Sequence, residues 1–214
     1  MSARISRIFS RRRGLGRRVG FAWFPAALLF FGCAPTWKPL EINLAYEPIA
    51  DSKSVEATRA PKPARIAIAS VTDDRSNKDT IGTTNVPVLG DGILPWLNEG
   101  FRSLATYGHQ VDDAAPPDRA AFPGFVLDVS LTKLYCSSQV ASLRTAVICV
   151  VTFHQGDVVL GRRTYRGENV KEMALLTGSY FKFSEREIMY GLNYGLSSVV
   201  DQAERDLRAF IEER

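Results

Sequence analysis

The chain predicts an α+β fold: a mixed sheet with a C-terminal three-strand antiparallel meander and two amphipathic helices packed on it. Three observations carry this expectation. Phe125–Tyr135, Thr145–Phe153 and Val158–Arg166 alternate apolar and polar residues and are joined by short polar connections, the period-2 signature of neighbouring half-buried strands. Ile93, Leu94, Leu97, Phe101, Leu104 and Ala105 recur at three- and four-residue spacing, as one stripe of a helix. Ile188, Leu192, Leu196, Val199, Val200, Ala203, Leu207 and Phe210 do the same over a longer C-terminal stretch.

Taken in order, residues 1–18 are polar and basic, and Val19–Phe31 is apolar apart from the break at Pro25. Thirteen residues are too few to cross the ~30 Å hydrocarbon core as a helix, and they suit the apolar part of an export signal. Arg12-Arg13 is a poor match to a twin-arginine signal, so general secretion is expected. Gly32-Cys33 closes the run, which is the arrangement of a bacterial lipoprotein signal with Cys33 as the acylated residue. Residue 34 is alanine, not the aspartate that marks retention in the inner membrane, so sorting to the outer membrane is expected in a diderm cell. The expected organisation is a signal peptide over 1–32, a tether and lead-in over 33–63, and one domain over 64–214.

This division changes the meaning of the charge. The whole chain carries +4, yet seven arginines and no acidic residue precede Cys33. The remainder has 20 basic against 23 acidic residues, about −3. A nucleic-acid-binding domain needs a basic face, so that partner is not expected.

Within the lead-in, Pro39, Pro48, Pro61 and Pro63 interrupt the chain. Leu40, Ile42 and Leu44 alternate with Glu41 and Asn43, as an edge strand or as a segment laid on the surface. Ala64–Val71 is the first strand of the domain, followed by a charged loop over Thr72–Asp79. Ile81-Gly82 and Val86–Leu89 make a second short strand or an extended excursion. Asp91-Gly92 introduces the first helix, with Pro95 in its first turn, where the missing amide does no harm. Gly108 stops that helix, Val111 begins a short return strand, and Asp112–Pro123 is loop. After the meander, Glu168–Phe183 has no clear period. Ser184 followed by Glu187 is a capping box opening the last helix.

Candidate chemistry is sparse. His109 and His154 are expected at the surface, outside any metal-ligand spacing with cysteine. Neither a phosphate-binding glycine loop nor a serine elbow is evident, and Asp73, Asp74 and Asp79 lack calcium-loop spacing. No cofactor, metal or catalytic residue is therefore expected. Cys136 and Cys149 face each other if the hairpin turns at 142–143, and an exported chain would then oxidise them to a disulfide. Arg162, Arg163 and Arg166, with Tyr180, Phe181 and Phe183, form the candidate interaction surface.

With these residues in view, the chain resembles the YajG-type family of uncharacterised bacterial lipoproteins. The resemblance runs through Ile66–Val71, Asp73–Gly82, Trp96-Leu97, Thr164–Gly167 and the C-terminal helix. It implies an envelope protein and carries over no catalytic residue. The layout also resembles auxiliary lipoproteins of lipid-transport systems. The leading expectation is a non-catalytic protein, facing the periplasm, that contacts the membrane through N-terminal acyl chains. It would act through an envelope protein partner in assembly or maintenance. The alternative is an accessory of lipid or lipopolysaccharide transport that holds acyl substrate in a groove.

Overall fold

A computed structural model describes residues 38–49, 60–112, 118–139, 142–172 and 183–213. The expected signal peptide over 1–32, Cys33, Tyr180 and Phe181 lie outside the described residues. The architecture is the expected one: a mixed α+β fold with an antiparallel C-terminal region and two helices packed on the sheet.

The strands are β1 (Leu40–Asn43), β2 (Arg65–Asp73), β3 (Gly82–Thr83), β4 (Pro87–Asp91), β5 (Gln110–Asp112), β6 (Phe125–Gln139), β7 (Ser142–Gln155) and β8 (Val158–Glu172). The helices are α1 (Ile93–Arg102), continued by a 3-10 turn over Ser103–Tyr107, and α2 (Glu185–Glu212). All eight strands join one sheet in which β6 is the spine. Its whole length pairs with β7, antiparallel. Its other edge is shared end to end, by β2 along Phe125–Leu131 and by β3 at Cys136–Ser137, both parallel.

A bulge between Leu131 and Lys133 lies between those two partners. It inserts one residue and so reverses the alternation beyond it. Leu134 and Cys136 therefore fall on the same face as Leu127, Val129 and Leu131, and all five are buried. That face, continued by Val147, Cys149, Val151 and Phe153 on β7, packs against Ile188, Leu192, Leu196, Val199 and Leu207 of α2. Each such side chain contributes on the order of 1.5–3 kcal/mol by leaving water, so this layer is the main source of stability.

Helix and sheet approach closely at one point. A Cβ on Gly167 of β8 would lie 1.8 Å from the carbonyl oxygen of Gly195 in α2. Gly167 is thus a contact position and not the end of its strand, which runs on to Glu172. At the other end of β8, Gly156 takes φ 56 in the β7–β8 turn, a conformation that suits glycine.

The lead-in contributes β1, parallel to β4 at a sheet edge. Leu44–Ile49 then crosses both helices: the Asn193 amide donates to the Ala45 carbonyl at 3.2 Å, and the Tyr46 hydroxyl lies 3.3 Å from Ser103 Oγ and 3.2 Å from Ser197 Oγ. Ser184 and Glu187 cap α2 reciprocally, as their spacing requires.

Candidate interaction surface

The opposite face of the sheet is built in polar rows. Ser70, Asp128, Thr152 and Arg162 occupy one cross-strand row, and Thr72, Ser130, Val150 and Thr164 the next. Asp128 is the hub of the first. Arg119 clamps both of its oxygens at 2.8 and 2.9 Å, Ser70 Oγ donates to Oδ1, and His154 Nε2 lies 2.9 Å from Oδ2. Partial burial pushes the Asp128 carboxyl up, but the hydrogen bonds from Ser70 and Arg119 outweigh it and hold the group below the usual carboxylate range.

Serine, histidine and aspartate meet here without forming a nucleophilic relay. Ser70 and His154 both bind the carboxylate, so no imidazole is placed to take the serine proton. The cluster instead ties β2, β6, β7 and the 118–123 loop together. Asp74 repeats the device one row along, accepting from Ser130 at 2.6 Å and Thr72 at 3.0 Å.

The β8 arginines divide across the strand. Arg162 and Arg166 share the polar face, as their spacing predicts, and both are exposed. Arg166 pairs with Glu168, whose hydrogen bond raises its already high pKa. Arg163 points to the helix side, 4.0 Å from Asp206 of α2, which also accepts a 2.6 Å hydrogen bond from Tyr165. Val158, Val159 and Val170 are exposed on the same strand, and among the described residues β8 pairs only with β7. Charge on a strand edge discourages unselective strand pairing.

Phe183 is a correction. It is buried in the core, not displayed for contact, because it precedes the N-cap Ser184 and occupies the staple position opposite Ile188. The cysteine pair is a second correction. The hairpin turns between Gln139 and Ser142, so Cys136 faces Thr145, while Cys149 faces Leu131 across the bulge. Four residues of strand, about 13 Å, separate the two positions, well beyond the ~7 Å reach of a disulfide. Both thiols are free and buried.

His109 is a third correction, since it is buried and not at the surface. Its Nδ1 accepts a 3.1 Å hydrogen bond from the Ala64 amide. Its Nε2 lies 3.6 Å from Glu204 of α2, which holds Arg208 Nε at 2.5 Å. No sequence spacing announced this pairing of residues 95 positions apart. Among the described residues, no group of three or more His, Cys, Asp or Glu is placed to hold a metal ion. No described helix is long and apolar enough to cross a membrane.

The chain matches no family model and no curated protein. Among solved structures it is similar to a DUF330-family protein from Xanthomonas campestris, with TM-score 0.49 and 8% identity over 82% of this chain and 98% of that one. It is also similar to a minor lipoprotein from Acinetobacter baumannii, with TM-score 0.38 and 12% identity over 67% of this chain and 92% of that one. A lipoprotein from Neisseria meningitidis shows TM-score 0.28 and 12% identity over 71% of this chain and all of its own. These likenesses are partial and do not single out the YajG-type family.

Proposed function

We propose that this chain is a lipid-anchored protein of the bacterial envelope, acylated on Cys33, that acts non-catalytically by contacting another envelope protein. The observation that carries this reading is the Gly32-Cys33 junction, which closes an apolar run just seven residues before the domain's first strand. Ala34 favours the periplasmic face of the outer membrane over retention in the inner one. Two or more acyl chains are needed for firm anchoring, since each buried methylene adds about 0.8 kcal/mol and one chain is marginal. The β8 edge, with Arg162, Arg163 and Arg166 and its exposed valines, is the proposed contact surface.

Acyl-substrate binding receives less support. The layer between α2 and the sheet is filled by Leu192, Leu196 and Val199, which are fully buried. A cleft of about 750 Å³ opens elsewhere, between the 45–49 segment and the first turns of α2. Ile49, Met189 and Tyr190 line it beside Glu47, Glu185 and Arg186, so charged side chains interrupt its apolar lining.

The test is mass spectrometry of the N-terminal peptide together with membrane fractionation. Acylation at Cys33, with loss of membrane association in Cys33→Ala, is the expected result. An unmodified Cys33 overturns the reading.

A further inference from the structure

The charges of β8 are complementary to themselves when the strand is reversed. Arg162, Thr164, Arg166, Glu168, Val170 and Glu172 follow one another along its polar face, cations towards one end and carboxylates towards the other. Among the described residues this strand pairs only with β7. From the helix side Gln202 Nε2 donates to the Arg166 carbonyl at 2.9 Å. A carbonyl oxygen can accept twice, so this bond does not close the edge.

A second β8 laid antiparallel beside the first, related by a two-fold axis normal to the sheet, keeps both polar faces on one side. Along a strand the side chains alternate between faces, and the backbone N–H and C=O groups alternate between neighbours. Two copies therefore pair only in registers that set some residue opposite its own copy. Centring on Arg166 sets two guanidinium groups together, and centring on Glu168 sets two carboxylates together. Centring on Tyr165 brings Arg162 to Glu168 but leaves Arg166 opposite Thr164. Centring on Gly167 brings Arg162 opposite Glu172 and Arg166 opposite Glu168, and the symmetry doubles both pairs.

The helix side of the strand fits the same register. Arg163 falls opposite Lys171, a like pair, yet each already has a carboxylate from α2 beside it. Asp206 lies 4.0 Å from Arg163, and Glu187 lies 2.7 Å from Lys171. We propose that β8 pairs antiparallel with β8 of a second copy of this chain, Gly167 opposite Gly167, so that two sheets become one. The proposal rests on the β8 edge being the contact surface put forward above, and it names what occupies that edge. Opposite charges facing each other across strands favour this register, and like charges facing each other disfavour its neighbours.

Thr164 and Val170, both exposed, stand opposite each other in this register, with Cα atoms about 4.5–5.5 Å apart and within disulfide reach. T164C and V170C, each with its own tag, are expressed together as full chains in a bacterial envelope and oxidised; Cys136 and Cys149 are buried. The expected product is a disulfide-linked species carrying both tags. Either variant alone gives none, because each position then stands about 20 Å from its own copy. In purified full-length protein, R162E/R166E and E168R/E172R are each expected to weaken the dimer at least about tenfold in analytical ultracentrifugation. Mixing the two restores it, since every facing pair is again of opposite charge, a rescue that misfolded chains would not show. Absence of the 164–170 link overturns the second copy, as do charge variants that associate like the parent. A benzophenone on T164C samples other occupants. A different protein captured there removes the second copy and keeps the contact surface, whereas no adduct at either position removes both.

Discussion

Trp96 and Asn193 are joined by a buried hydrogen bond between the two helices: the indole Nε1 donates to Oδ1 at 2.8 Å. The same amide donates through Nδ2 to the Ala45 carbonyl, so one side chain ties α1, α2 and the segment after β1 together. Asn193→Ala leaves the indole N–H buried without its acceptor and is expected to destabilise the domain by about 1–3 kcal/mol. Urea denaturation followed by tryptophan fluorescence measures it. An unchanged midpoint would show that water replaces the amide.

Gly167→Ala is expected to be strongly damaging. Its methyl would meet the Gly195 carbonyl, a backbone atom of a helix pinned on both sides, so the clash cannot be relieved by rotating a side chain. The expected loss is about 3 kcal/mol, at the upper end for overpacking. At Gly161 the nearest atom is the Phe210 ring edge at 3.0 Å, which can move, and the loss there is under about 1 kcal/mol. Thermal melts of the two variants give the comparison.

Acid weakens the fold through His109. Burial lowers its pKa from 6.5, more than the neighbouring Glu204 carboxylate raises it, and Arg208 adds to the lowering. The folded state thus binds a proton less readily than the unfolded chain. Stability is at its full value above about pH 6.5 and falls as pH drops towards the lowered folded value. Protonation also removes the lone pair that accepts from Ala64, so the start of β2 loosens first. Hydrogen exchange at the Ala64 amide, measured between pH 7.5 and 5, is expected to accelerate more than at Ile68. His109→Gln should flatten that difference.

Asp73 neutralises a guanidinium that has almost no solvent. Arg75 is 3% exposed and donates Nε and NH2 to the two carboxylate oxygens at 2.8 Å each. Asp73→Ala leaves that charge buried and unpaired, with an expected loss of about 3 kcal/mol. Replacing both residues, with Arg75→Met, is expected to recover most of it. A double-mutant cycle on denaturation midpoints tests this.

The cysteines supply a thiol count. Burial pushes the Cys136 thiol up to about 12 and Cys149 upward as well, so neither yields the reactive thiolate near neutral pH. Native protein is expected to react with none of a thiol reagent, and denatured protein with two equivalents if Cys33 is blocked as a thioether. Three equivalents would count against acylation. Reductant should leave the melting temperature unchanged.

Much of this architecture was legible because it rests on local periodicity. The α2 stripe, its Ser184–Glu187 cap and the β6–β7–β8 alternation are written in consecutive residues and appear where the pattern puts them. What depended on register was not legible. A single inserted residue near Thr132 restores Cys136 to the core face, and the turn lies about two residues earlier than assumed, which alone moves the partner of Cys136 four positions, from Cys149 to Thr145. The Arg119–Asp128–His154 and His109–Glu204 groupings were hidden for the same reason. Their members are set side by side by strand order and by the α2 crossing, neither of which leaves a spacing in the chain.

The direction of β1 has a mechanical consequence. Tension on the chain ahead of Leu40 that pulls along β1, away from its Asn43 end, acts along the strand axis and not across it. The β1–β4 ladder from Leu40 to Asn43 is then loaded in shear, with its hydrogen bonds bearing the force together and the buried Ile42 side chain resisting the slide. A pull from the opposite direction would peel the same four residues one bond at a time. The four-residue ladder thus holds best against a pull directed along β1 and away from its Asn43 end.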